Sequence, residues 1–447
     1  MKNFILLGFV LPIVGLGAAF SSKESGPVDW VQQSISADAS AAAAAQTHLR
    51  DTGPSGLRML LERYAPQIAA HRAGAPADEQ WKRIASALDH VGGQYDNYAS
   101  QLYWYTDLEQ AKAAALASGK PILSLRLLGR LDEDLSCANS RYFRTTLYPS
   151  AEINRILREQ YVLHWESVRP APRVTIDFGD GRTLKRTITG NSIHYILDSK
   201  GHVVDALPGL YSAEVFAQEL RAAADALETP GAAAAHTLST RNRLLNAWAS
   251  DLAALHIALP TRPWNEDDLQ GRTGDAAWQR IARLHEGETS FDARVRELMV
   301  RKFPSAEAAA PIAVGKSAVE IPLLRNMASP IAPKEVSGQS SPSAQVAAPL
   351  ALAKRLVEAP MLRSFDNSPR IVSLRRMISL DTVENNYMRR TRILAFIAGP
   401  AAESSLSLAA INEWVYSQVF LTPSDDPWLG LAPPDVFSAI DCDGQVY

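Results

Sequence analysis

The sequence predicts an α/β protein: a mixed sheet flanked by mainly helical N- and C-terminal regions. Between residues 101 and 228, apolar runs of strand length alternate with helix-like segments, and some neighbouring runs are joined by tight Gly- or Asp-containing turns. On both sides of this stretch, apolar residues recur at three- and four-residue steps, which indicates helices with one buried face. We therefore expect parallel and antiparallel strands in one sheet.

Length and composition leave the partner class open. The chain has 447 residues, enough for two or three domains, and an apolar content of 47% that is ordinary for a globular protein. Its net charge of −3 gives no indication of binding to nucleic acid or to an anionic membrane surface.

The N-terminus has the pattern of a secretory signal. Lys2 is followed by an apolar run from Phe4 to Leu16 and then by the small residues Gly17-Ala18-Ala19. We expect residues 1–19 to be a signal peptide, cleaved near Ala18 or Ala19, with an uncleaved anchor as the alternative. The run is short for a membrane-spanning helix, which needs about 20 apolar residues. The predicted location is extracytoplasmic, either periplasmic or secreted.

The flanks divide into four predicted regions by periodicity and composition. Apolar stripes such as Leu244, Leu245, Trp248 and Leu252, and the late stripe Leu408, Ile411, Val415 and Val419, indicate helices. The regions are a helical one at 20–100, a helical one at 229–303, an Ala/Pro/Ser-rich linker at 304–350, and a helical one at 351–447 that ends in a Pro/Gly-rich tail.

The stretch 101–228 predicts an ordered series of helices and strands. Thr106 and Glu109 have the spacing of a capping box, and Gly119 followed by Pro121 should end that helix. Gly179 and Gly181 indicate a hairpin, and Ser212 should cap a further helix. The predicted strands are Ile122–Leu128, Tyr161–Trp165, Val174–Phe178, Thr183–Ile188, Ile193–Leu197 and His202–Leu207, with a helix from Cys137 to about Thr145.

Three motifs in this order resemble the thioredoxin-like family, over roughly a quarter of the chain. They are Trp104–Glu109 leading to Ser118–Leu123, Tyr148-Pro149-Ser150 leading to Tyr161-Val162-Leu163, and Gly190–Asp198. The resemblance implies a strand followed by a redox cysteine at a helix start. It also implies that the third motif lies beside that cysteine, where the family normally has a cis-proline.

The resemblance places Cys137 at the family's nucleophile position. There, helix N–H groups and the helix dipole favour a thiolate, and a second cysteine three residues later resolves mixed disulfides. Here Ser140 stands at the second position, Ser136 replaces the usual preceding aromatic residue, and Ser192 replaces the proline. Ser140 is able to donate a hydrogen bond to a thiolate but not to complete dithiol exchange. We therefore expect an atypical CxxS form.

Several readings of the individual site residues remain open. Cys137 is a reactive monothiol, a buried structural residue, or one end of a bridge to Cys442. Arg126, a charge inside an apolar strand, either lies near Cys137 or pairs with the loop carboxylates of Asp132, Glu133 and Asp134; the second is favoured. His164 and His194 are expected to be hydrogen-bonded core residues. No motif for a metal or a cofactor is present, and we expect neither.

Two functions follow from these patterns. The favoured prediction is a non-catalytic binding or scaffold protein of the cell envelope, which meets a protein partner through its helical flanks. The alternative is a monothiol exchange protein in which Cys137 forms mixed disulfides. A dithiol oxidoreductase is disfavoured, because the second cysteine is missing.

Overall fold

The computed structural model describes residues 28–187, 191–229, 231–286, 367–399 and 406–426. The predicted signal peptide at 1–19, the linker at 304–350 and Cys442 lie outside the described residues.

The N-terminal region is a bundle of short helices, as predicted. Asp78 caps α5 by accepting a hydrogen bond from the Trp81 backbone N–H, and Gly93 ends it in the left-handed conformation. The buried residues Leu57, Leu60 and Ile84 belong to one apolar cluster of this region. The helices are α1 Trp30–Gln33, α2 Ala39–Asp51, α3 Pro54–Arg63, α4 Ala65–Arg72, α5 Glu79–Gly92 and α6 Asn97–Ser100.

The central stretch has the predicted order of elements. They are α7 Leu108–Ser118, β1 Ile122–Leu128, α8 Ala138–Tyr142, a π-helical turn Phe143–Leu147, α9 Ala151–Gln160, β2 Val162–Arg169, β3 Arg173–Asp177, β4 Thr183–Thr187, β5 Ser192–Leu197, β6 Val203–Pro208 and α10 Ala213–Glu228. The capping box at Thr106 and Glu109 is wrong by one residue. The carboxylate of Asp107 caps α7 instead, accepting from the Gln110 backbone N–H at 2.8 Å.

The sheet is mixed, as predicted. Its strand order is β2-β1-β5-β6, with β1 and β2 parallel and the other two pairs antiparallel. All seven residues of the central strand β1 are buried. β3 and β4 form a separate two-stranded hairpin. β1 therefore leads from the middle of the sheet into the loop that carries Cys137.

The helices after residue 367 share their apolar core with the sheet, whereas the helices between residues 233 and 284 contribute their apolar faces to a second cluster. Ile393, Leu408, Ile411 and Val415 belong to the same buried cluster as β1 and β5, so the predicted late stripe is a buried face. The elements are α11 Ala233–Ala254, α12 Glu266–Arg272, α13 Asp275–Leu284, α14 Asn367–Glu384 followed by a π-helical segment Asn385–Arg390, α15 Thr391–Ala398, and α16 Leu408–Trp414 followed by a π-helical segment Val415–Val419. None of the helices within the described ranges is long and apolar enough to cross a membrane.

Candidate functional site

Cys137 is the N-cap residue of α8, at the helix start that the sequence predicts. Its Sγ accepts a hydrogen bond from the Ser140 backbone N–H at 3.4 Å. The Ser140 hydroxyl lies 2.5 Å from Ser136 Oγ and 2.8 Å from the Cys137 carbonyl oxygen. The backbone of Ser140 thus supplies a donor of the kind that stabilises a thiolate.

The cysteine is closed off from solvent. Ser136, Cys137, Asn139 and Ser140 each have an exposed fraction of 0%. A thiol must reach its target sulfur directly in order to exchange. In this conformation, Cys137 therefore has no surface on which to meet another protein's disulfide.

Ser192, the residue at the predicted proline position, lies against the cysteine helix. It is the first residue of β5, and its Oγ accepts a hydrogen bond from Asn139 Nδ2 at 2.7 Å. The Ser192 carbonyl oxygen accepts from the Gly209 N–H at 2.7 Å. The structure thus brings Ser192 beside the start of α8, although the two positions are far apart in the chain.

Residues 408–426, here called the C-terminal strap, lie across the same end of the sheet. The Tyr416 hydroxyl donates to the carbonyl oxygen of Asn191 at 3.2 Å, and Asn191 Nδ2 donates to Thr422 Oγ1 at 3.4 Å. Tyr416 is 1% exposed. Burial raises its pKa well above the ordinary value, and the negative charge of a nearby Cys137 thiolate raises it further. The strap therefore covers the start of β5, where the next residue, Ser192, contacts the cysteine helix.

The guanidinium of Arg169 fastens the strap to the end of β2. It donates to the carbonyl oxygens of Thr422 at 2.7 Å, Pro423 at 3.0 Å and Asp426 at 3.3 Å. Three carbonyl acceptors on one guanidinium fix the path of the chain, because Arg presents its donors in a rigid planar fork.

The β3–β4 hairpin closes another side of the site. Thr187, the last residue of β4, accepts a hydrogen bond from Arg141 Nη2 at 2.7 Å and donates to the Ser136 carbonyl oxygen at 3.2 Å. The hairpin thus contacts both the loop before Cys137 and the helix after it.

Arg126 pairs with a carboxylate that was not predicted from the sequence. In the parallel register of β1 and β2, Arg126 lies directly opposite Glu166, and the two side chains form an ion pair. The favoured pairing with Asp132, Glu133 or Asp134 is wrong, and these loop carboxylates pair with Arg130 and Arg144 instead. Arg126 is 7% exposed, whereas the Glu166 side chain is 54% exposed.

Replacing Arg126 by methionine is expected to change the free energy of unfolding by less than about 1 kcal/mol, because an apolar side chain suits this strand and Glu166 is left in water. Urea unfolding of both proteins measures this difference. A loss above about 3 kcal/mol, or a change in the alkylation rate of Cys137, would show that the guanidinium acts on the cysteine site.

The two core histidines are hydrogen-bonded, as expected. His164 Nδ1 lies 2.8 Å from Ser124 Oγ, and His194 Nε2 lies 2.7 Å from the Tyr148 hydroxyl. Burial lowers the pKa of each to about 3, and Arg126 contributes to the shift at His164. Both imidazoles are therefore neutral at physiological pH.

This neutrality predicts a loss of stability in acid. Because the folded pKa of His194 is about 3 and the ordinary value is 6.5, only the unfolded chain binds the proton between these values. The contribution of the neutral imidazole to the free energy of unfolding is then fully present above the unfolded pKa. Below that pKa it falls by up to about 1.4 kcal/mol per pH unit. His194→Gln should flatten this slope in urea titrations between pH 7 and 5, and an unchanged slope in this variant would contradict the assignment.

A second polar cluster was not predicted from the sequence. Arg390 donates to both carboxylate oxygens of Asp205, at 3.0 and 2.7 Å, and to Glu219 Oε2 at 2.9 Å. His236 Nε2 lies 2.9 Å from Asp205 Oδ2, and Arg243 pairs with Glu219 at 2.6 Å. The side chains of Arg390, Asp205 and Glu219 are 0%, 0% and 2% exposed. Burial opposes the charged form of Asp205, but Arg390 and His236 outweigh it and lower the pKa to about 2.

Asp205, a charged residue inside the apolar run Val203–Pro208, was the one indication of this cluster in the sequence. Its partners could not be read from the sequence, because Arg390 lies far along the chain. The cluster is enclosed and joins β6, α10, α11 and the π-helical segment Asn385–Arg390, so its role is to hold these elements together.

Within the residues that the structure describes, no three His, Cys, Asp or Glu side chains are grouped so as to hold a metal ion. Comparison with known proteins identifies no relative: no family model matches the chain, and no curated protein or solved structure is significantly similar to it.

Proposed function

We propose that the chain is an exported, thioredoxin-like binding or scaffold protein that does not use Cys137 for catalysis. The observation that carries this proposal is the enclosure of Cys137. The side chain is 0% exposed, and the residues beside it, from Asn191 to Ser192, already contact the C-terminal strap and the cysteine helix. The surface on which a thioredoxin-like protein would meet a disulfide is thus occupied by the chain itself.

The arrangement of the sheet supports the thioredoxin-like part of the proposal. β1 runs into the loop before Cys137, β2 lies parallel to β1, and β5 and β6 follow as an antiparallel pair. Ser192, which the resemblance places beside the active site, bonds to Asn139 in the cysteine helix.

The firm attachment of the N-terminal helices supports the binding or scaffold part. Arg50 of α2 donates to the carbonyl oxygens of Val91 and Trp104, at 2.8 and 2.7 Å. Trp165 Nε1 of β2 donates to the Gly93 carbonyl oxygen at 2.7 Å. Because the helices are anchored to the sheet, their outer faces form one rigid surface with it. We place the protein in the periplasm or outside the cell on the pattern of its first 19 residues.

One observation favours monothiol exchange as a second candidate. The Ser140 N–H at the start of α8 points at Cys137 Sγ, which is the donor geometry that lowers a cysteine pKa. This function requires the strap to move away, so that a partner sulfur reaches Cys137.

Alkylation of Cys137 in native full-length protein distinguishes the two candidates, with Cys442→Ser as background. A binding protein should react at least about 100-fold more slowly than the urea-unfolded chain, because reaction waits for a rare opening. Cys137→Ala should then stay folded and co-purify with the same envelope proteins. Rapid alkylation with an apparent pKa below about 8.5, or partners lost in Cys137→Ala, would contradict the proposal and favour exchange.

A further inference from the structure

An open groove runs between the N-terminal helices and the edge of the sheet. It consists of two adjoining depressions of about 400 and 480 Å³, and Leu61 and Gln101 line both of them. The larger part of the first depression is apolar and includes Leu57, Tyr103 and Tyr161. The second follows α3 and α4. Because the two depressions share lining residues, they offer adjoining sites for neighbouring groups of one ligand.

The charged side chains that line the groove all carry positive charge. Arg58, Lys120 and Arg158 line the first depression and Arg72 lines the second, and no carboxylate lines either depression as far as the structure describes the chain. The groove is therefore complementary to an acidic ligand.

Two of these cations are held in place by neutral oxygens. Arg158 donates to Asn154 Oδ1 at 2.8 Å and to the Ser100 carbonyl oxygen at 3.1 Å. Lys120 Nζ donates to the Arg158 carbonyl oxygen at 3.0 Å. Neutral acceptors position the two groups without cancelling their charge. A carboxylate brought into the groove would then form charge-assisted hydrogen bonds with pre-positioned donors.

The backbone of the neighbouring sheet edge is already paired. The Tyr105 N–H donates to the Leu163 carbonyl oxygen at 2.8 Å, and the Trp165 N–H donates to the Tyr105 carbonyl oxygen at 3.0 Å. A ligand in the groove would consequently be held by side chains and not as an added strand.

We propose that this groove binds an acidic peptide segment of a partner protein. Apolar side chains of the peptide fill the two depressions, and its carboxylates pair with Lys120 and Arg158. Tyrosine and arginine are the residues that most often carry the binding energy of protein interfaces, and both line the groove. This inference rests on the proposed binding function and names the chemistry of the partner.

Selection of a random 12-residue displayed peptide library on the full-length protein tests the groove. We expect the enriched peptides to combine apolar residues with Asp or Glu. An enriched peptide should bind Lys120→Glu/Arg158→Glu about tenfold or more weakly than it binds the natural protein, and high salt should narrow this difference, because salt screens both the attraction and the repulsion. The milder Lys120→Gln/Arg158→Gln should show a smaller loss, with an unchanged melting temperature. The matched control is Arg155→Glu, because Arg155 lies on the same helix α9 but pairs with Glu159 outside the groove; it should bind normally.

Enrichment of basic or uncharged peptides would overturn the proposal. So would acidic peptides that bind Lys120→Glu/Arg158→Glu as tightly as the natural protein. So would binding of dodecanoate in place of peptide, which would assign the groove to an amphiphile. Residues 421–447 contain no Lys or Arg; peptide binding that appears only after removal of residues 427–447 would assign the groove to the chain's own acidic tail. Each of these results leaves the alkylation rate of Cys137 unchanged, so failure of the groove is distinguishable from failure of the proposed function.

Discussion

Replacing Arg390 with leucine is expected to lower the free energy of unfolding by about 3–5 kcal/mol, one of the two largest effects predicted for this chain. Arg390 is fully buried between the carboxylates of Asp205 and Glu219. Its removal leaves Asp205 to the hydrogen bond from His236 and Glu219 to the pair with Arg243. A buried carboxylate that loses its main countercharge destabilises the folded state strongly.

The expected consequence is local as well as global. Arg390 ends the π-helical segment that contacts β6, and the same guanidinium reaches Glu219 in α10. Loss of the ion pair should therefore loosen the C-terminal helices from the sheet before the N-terminal helices unfold. Hydrogen exchange of α14 and α15 should accelerate more than that of α5.

A pH series separates this electrostatic cause from lost packing. In the natural chain the folded pKa of Asp205 is depressed to about 2, so its stabilising contribution is fully present above the unfolded pKa and is lost as the pH falls from the unfolded pKa through the folded one. In Arg390→Leu, burial raises the carboxyl pKa, and protonation relieves the unpaired charge. The stability difference between the two proteins should thus narrow between pH 6 and pH 4.

Arg392→Leu is the matched control, because Arg392 is exposed and lies over the ring of Trp414. It should cost less than about 1 kcal/mol, as expected for an exposed cation–π contact. A cost for Arg390→Leu that is as small as the control's, or that does not vary with pH, would contradict a stabilising role for the network.

The extent to which the sequence predicted this structure depends on the range of the interactions. The helices and strands of 101–228 follow from local periodicity and from single signals such as Gly119, which ends α7 in the left-handed conformation. The start of α8 at Cys137 and the cap at Ser212 were likewise readable, because a cap involves residues within one turn.

Contacts between distant segments could not be predicted in this way. The partner of Arg126 depends on the register of β1 against β2, and periodicity does not specify which residues of two parallel strands face each other. The strap over Cys137 depends on Asn191 meeting Tyr416, more than two hundred positions later. The sequence could therefore place Cys137 at a helix start and offer burial as one reading, but it could not predict that residues 408–426 lie at this end of the sheet.

Replacing Tyr416 with alanine is the second large effect we expect, since it removes a fully buried aromatic ring from the strap. Loss of a buried aromatic side chain costs about 3–5 kcal/mol. Because the ring lies beside Cys137 and its hydroxyl holds the Asn191 carbonyl oxygen, much of this loss should act on the strap itself. In native protein with Cys442→Ser, the alkylation of Cys137 should accelerate by more than about tenfold.

The control for this prediction is an equally destabilising change elsewhere. Leu60 is fully buried in the apolar cluster of the N-terminal helices, and Leu60→Ala should cost about 2–5 kcal/mol. If the strap opens locally, Tyr416→Ala exposes Cys137 more than Leu60→Ala does at matched global stability in urea. Equal alkylation rates in the two variants would mean that Cys137 is reached only by global unfolding. A monothiol exchange function would then have no route to its substrate, whereas local opening would show how the chain could uncover its thiol.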